Sequence, residues 1–204
     1  MTDLLERSLC IDEKCIGTLN ERGYCSVCGK SLDGRHDPLR VARSILSELD
    51  LREAAAFWQL ELLPSEDLPT IAISALGKGY DSLSLRILAG ETEKLASTVG
   101  PLFVKALQEL GISLPDVASA QMTVARFYAR KIVDGSIPPY QGAQHIYRDV
   151  LMKANPTQKE AVWKRFEIFI GLVSEYEDSP RRKKLQKEIE KTIIQEAQKL
   201  LSDS

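Results

Sequence analysis

PDVASAQMTVARFYARKIVDG, residues 115–135, decides the fold class. Val117, Ala120, Val124, Phe127, Tyr128 and Ile132 recur at steps of three and four, which gathers them on one side of an α-helix; a strand, with its period of two, would scatter them over both faces. Pro115 stands before the stripe, and Gly135 is placed to end the helix in a left-handed conformation.

The same period extends in both directions. Downstream, a helix beginning after Pro138-Pro139 buries Ala143, Ile146, Tyr147, Val150 and Leu151 and ends at Asn155-Pro156. Thr157-Gln158-Lys159-Glu160 reads as a capping box. The helix behind it carries Val162, Trp163, Phe166, Phe169, Ile170 and Val173 on one face and Ile168 and Leu172 on another, which predicts packing on two sides and the centre of the core. Ser179 is read as the cap of the last helix, with Pro180 at its first position and a single seam of Leu185, Ile189, Ile193, Ala197 and Leu200. Upstream, Asp37 and Pro38 open a stripe through Val41, Ile45 and Leu49 that residues 51–62 continue with Phe57 and Trp58 until Pro64 stops it. Residues 69–76 and 82–89 form two short helices closed by Gly77, Gly79 and Gly90, with Asp81 or Ser82 as the second cap. From Leu95 to Leu110 the period resumes, and Gly100-Pro101 is predicted to kink or divide it. The expected fold is mainly α, an irregular multi-helix bundle over residues 38–204.

Residues 1–37 have a different character. All four cysteines fall there, as Cys10-x4-Cys15, nine residues, then Cys25-x2-Cys28. The segment before them contains Asp3 and Glu6 and lacks the roughly seven to fifteen apolar residues of a secretory signal. The longest nearly unbroken apolar run downstream, 166–173, is far short of the roughly 20 residues that span a bilayer. The expected compartment is therefore the cytoplasm, without membrane insertion, where thiols stay reduced and clustered cysteines serve as metal ligands. Between the pairs, residues 16–19 and 24–25 suit short strands around the turn Asn20-Glu21-Arg22-Gly23, a β-hairpin delivering two sulfurs from each end. Four thiolates complete a tetrahedral shell around one Zn²⁺ and leave no position to activate water, so the expected metal is structural; iron is the rival. His36 reads as a solvated loop residue. The polar stretch 31–37 is the connection, and the domain boundary is placed near Asp37.

In its paired-cysteine knuckles flanking a short hairpin, the segment 8–30 resembles the zinc-ribbon family, departing from it in the four-residue spacing of the first pair. The helical part also resembles an uncharacterised group of bacterial proteins in residues 134–143 and 172–178. That second resemblance implies a bacterial, largely helical protein and carries over no activity or catalytic residue.

Composition sets further bounds. With 27 Lys+Arg against 29 Asp+Glu and a net charge of −2, the chain has no global field to gather nucleic acid or anionic membrane. No phosphate loop, His-Glu-x-x-His or Gly-x-Ser-x-Gly motif occurs. Glu175, Glu177 and Asp178, with Asp134, are candidate carboxylates for a cation or for acid–base work; a solvated turn before the last helix, whose dipole they complement, is the stronger reading of them. His145 and Asp149, spaced i,i+4, can orient an imidazole. Arg181-Arg182-Lys183-Lys184, with Lys187 and Lys191, is the one dense basic cluster, diluted by Glu188 and Glu190. In the helical part, Tyr140, Glu175, Tyr176 and Asp178 are the candidate partner-binding residues, because rigid aromatics beside charges suit protein contact. The leading expectation is a non-enzymatic, zinc-binding adaptor with a protein partner. The alternatives are nucleic-acid binding through the ribbon and the Arg181–Lys184 cluster, and an enzyme using the carboxylates near Glu175.

Overall fold

The computed structural model describes residues 48–93, 95–151 and 159–202. Among them are eight α-helices and no strand, and no helix is long and apolar enough to cross a membrane. The four cysteines, their hairpin, His36, the boundary near Asp37, the helix start at Asp37-Pro38 and the Thr157 capping box lie outside the described residues.

The first described helix, α1 (Leu51–Gln59), begins at a cap on Asp50, so the helix does not run unbroken from Leu49 into Leu51 as the apolar stripe suggests. Asp50 is extended and caps it: its carboxylate accepts from the Glu53 amide at 2.7 Å, while the Glu53 carboxylate accepts from the Asp50 amide at 3.1 Å. This reciprocal box satisfies donors that the first turn of a helix leaves without partners. α1 also stops short of Pro64. Glu61 takes a left-handed φ of 55°, its amide bonds Trp58 O at 3.0 Å, and the Leu62 amide bonds Phe57 O at 2.9 Å; this closes the helix one turn earlier than the apolar pattern suggests.

After a 3-10 turn (Ser65–Asp67) come α2 (Leu68–Gly77), α3 (Leu83–Ala89) and α4 (Ala96–Glu109), each packed on the one before. Ser82 caps α3 with its hydroxyl, 3.2 Å from the Leu85 amide. Glu109, at the far end of α4, then takes the next orphan donor: it accepts from the Ser84 amide at 2.9 Å and the Ser84 hydroxyl at 2.7 Å. These bonds hold the Glu109 carboxyl below its ordinary range and explain how Ser84 is buried at no loss of hydrogen bonding. Pro101 does not divide α4, which runs unbroken from Ala96 to Glu109. It stands in the second turn, where it removes a single bond, and Gly100 beside it leaves room for the Trp58 indole, to which an added Cβ would come within 3.2 Å.

The second half begins with α5 (Val117–Val133), capped by Asp116, followed by α6 (Pro139–His145), which runs into a π-turn (Ile146–Leu151), then α7 (Lys159–Glu177) and α8 (Lys183–Ser202). α5 touches α1, α6, the π-turn and α8. It is the centre of the core, in place of the 159–177 helix expected there. Its alanines at 120, 125 and 129 are buried between Val124, Phe127, Tyr128 and Ile132, and small residues let helices approach from several sides. α7 buries Phe166, Phe169, Leu172 and Val173 but leaves Ile168 44% exposed, so its second apolar face is only half used. Ser179 does not cap α8: Pro180 sits in a turn closed by the Arg182 amide on Ser179 O at 3.1 Å, and the helix starts one turn later, at Lys183. Gly135, at φ 75°, ends α5 as its position predicts.

The halves meet on α1. Phe57 is buried edge-on against Phe127 (centroids 5.3 Å) and Tyr128 (5.8 Å) of α5, while its neighbour Trp58 meets Phe103 of α4 at 5.9 Å. Glu53, also buried, pairs with Arg130 of α5. Phe57→Ala should therefore cost about 3–5 kcal/mol in denaturant unfolding, through lost burial and a cavity under two rings. Ile168→Ala, at an exposed site, should stay within about 0.5 kcal/mol of wild type.

Candidate functional site

Tyr140 and Tyr176 lie far apart in sequence, and the packing of α6 on α7 brings them together. Their rings stack at 4.2 Å with planes 15° apart, and both are half-buried. Gly142, two residues after Tyr140, allows this placement: a Cβ there would overlap Ile132 Cγ1 and Cδ1, so only glycine lets α6 lie this close to α5. The Tyr140 hydroxyl donates to Glu177 Oε1 at 2.8 Å and accepts from Gln144 Nε2 at 2.6 Å; Gln144 Nε2 also reaches Glu177 Oε1 at 3.2 Å. On the other ring, the Tyr176 hydroxyl donates to Glu190 Oε1 of α8 at 3.3 Å.

Of the four candidates in the helical part, the structure thus joins the two tyrosines. Glu175 and Asp178 remain exposed and take no part in these bonds. The groups missed from the sequence are Gln144, Glu177 as the tyrosine's acceptor, and Glu190. Gln144 was findable, standing four residues after Tyr140 on the same helix face. Glu190 was not, because nothing local reports which helix will pass beside Tyr176.

The phenols respond to this setting. Burial first, and then the hydrogen bond and negative charge of Glu177, push Tyr140 up to about 12. Burial and Glu190 raise Tyr176 as well. Neutral phenol is the form these acceptors need.

A second polar cluster sits at the π-turn. Asp149 Oδ2 accepts from the Tyr128 hydroxyl at 2.8 Å and stands 3.1 Å from His145 Nδ1, while the imidazole stacks on the Tyr128 ring at 4.7 Å with planes 8° apart. The i,i+4 pair does orient an imidazole, and buried Tyr128, held well above its usual range by burial and then by Asp149, is the third member. Buried Gln121 donates to the Val150 carbonyl at 3.2 Å, supplying a donor to an acceptor within the π-turn.

The carboxylates near Glu175 do not gather with Asp134. Asp134 instead accepts from the Ser136 amide at 2.8 Å, in the turn after α5. Among the described residues, no three of His, Cys, Asp and Glu are grouped to hold a metal ion. A cleft of about 400 Å³ at the C-terminal end of α4, lined by Leu107, Ile112 and Leu114 among others, carries no ionisable side chain in its wall. Comparison with known protein families, curated proteins and solved structures finds no match to the chain.

The folded chain holds the Tyr140 proton more tightly than an unfolded chain would. Its contribution to stability is complete below the ordinary phenol pKa of about 10 and is lost as pH rises from there to about 12. Ultraviolet titration should show a late-ionising phenol component that shrinks in Tyr140→Phe, with the wild-type advantage in melting temperature over that variant fading across the same interval.

Proposed function

We propose that the chain is a non-enzymatic cytoplasmic adaptor, with a structural zinc held by Cys10, Cys15, Cys25 and Cys28 and a protein partner bound at the Tyr140–Tyr176 face. The observation that carries the partner reading is the half-exposed tyrosine stack, with each hydroxyl fixed on a carboxylate from another helix. A surface held in place before binding loses little entropy on docking, and paired aromatics are the side chains that most often dominate protein contacts. Exposed Glu175 and Asp178 beside the stack add negative charge, so the chemistry that fits is a partner segment bearing Arg or Lys, able to lie on a ring and meet a carboxylate. The zinc reading rests on the cysteine spacing and on its resemblance to zinc ribbons.

Glu175→Ala and Asp178→Ala, both at exposed positions, should leave the melting temperature unchanged while weakening capture of the partner from cell extract; Tyr140→Ala should abolish it. Capture at wild-type level by all three variants would overturn the partner face.

Metal analysis of protein purified under reducing conditions should find one Zn²⁺ per chain, lost on Cys25→Ser with Cys28→Ser. Near-zero zinc in the wild type, or normal zinc in that double variant, would overturn the ribbon.

A further inference from the structure

We infer that the outer face of α8, with the turn that leads into it, is a binding surface for the phosphate backbone of double-stranded nucleic acid. In sequence the cluster reads as four consecutive cations spread around a helix and diluted by two glutamates. The structure changes both points. Arg181 and Arg182 belong to the preceding turn. From Lys183 the helix then places Lys184, Lys187 and Lys191 within about 60° of arc, opposite the buried seam of Ile189, Ile193 and Ala197. All six cations are exposed, and none forms an ion pair among the described residues. Glu190 is drawn away to the Tyr176 hydroxyl and Glu196 to Lys199, so Glu188 alone flanks the stripe.

The chemistry of this face selects among polyanions. Lys184 to Lys191 spans ~10 Å of helix, a length over which duplex DNA presents about six phosphates on its two strands. Single strands are held by stacking on aromatic side chains, and this face has none. Adsorption to an anionic bilayer draws on an apolar helix face entering the interface, whereas the apolar seam of α8 is buried in its packing on α5, α6 and α7. What is left is a rigid row of cations on a packed helix, suited to sequence-independent backbone contact.

The test is fluorescence anisotropy of the full chain with a labelled duplex of about 20 base pairs, titrated between about 50 and 200 mM salt. The expected result is binding whose logarithm falls linearly with log salt, with a slope of about −3 to −5. The variant Lys184→Gln, Lys187→Gln, Lys191→Gln should keep the wild-type melting temperature, lose about tenfold or more in affinity at low salt, and have a slope shallower by about 2.7, from 0.9 per contact. The corresponding triple arginine variant, which keeps the charge, should restore binding even if the glutamine variant melts early. Absence of duplex binding by the wild type, an unchanged slope in the glutamine variant, or binding to phosphatidylserine vesicles but not to duplex would each overturn the inference.

Discussion

Two neighbouring aromatic residues on a nine-residue helix hold the described fold together. Phe57 and Trp58 are one step apart, about 100° around α1, so their rings leave the helix in different directions. One enters the aromatic group of α5 and the other meets Phe103 on α4. α2, α3 and α4 otherwise pack mainly among themselves, as do α5 to α8. The position of α1 therefore sets how the two groups of helices stand, and the Glu53–Arg130 pair fixes it at the other end. Glu53 both closes the cap of α1 and ties it to α5, so a local signal and a long-range contact share one carboxylate.

α8 supports two surfaces of opposite character. Glu190 reaches over to the Tyr140–Tyr176 stack, and the lysines point away from the buried seam. The turn between α7 and α8 thus separates a tyrosine–carboxylate region from a cationic one within a few residues. Because Glu190 is engaged by Tyr176, its charge is directed toward one surface and withheld from the other. The stack and the lysine row are consequences of one helix orientation.

Much of this was legible in the residues, and the exceptions have physical reasons. The stripe from Val117 to Ile132 gave α5 to within a residue, since burial against several neighbours demands an uninterrupted period, and Gly135 marked its end. The break at Asp50 was missed although Asp50 and Glu53 carry the capping-box spacing, because the apolar period runs through it unbroken. Ile168 was assigned to a buried face, but apolar type alone does not say whether a neighbouring helix arrives to cover it. Of the candidate site, Tyr140 and Tyr176 were readable as rigid aromatics near charges. Their stacking, and the choice of Glu177 and Glu190 as acceptors, depend on how α6, α7 and α8 cross, which no single segment encodes.

The connectivity of the two groups of helices also bears on the order in which the chain acquires structure. α2, α3 and α4 each pack on their neighbour in sequence, so closing those contacts involves short loops and little entropy. α5 is different: a large part of its partner surface comes from α8, whose first residue, Lys183, lies some fifty positions after Val133, where α5 ends. During synthesis from the N-terminus, the contacts among α2, α3 and α4 can be completed while the side of α5 that packs on α8 still lacks its partner. Until α8 is made, the residues of α5 that it covers are open to misassociation.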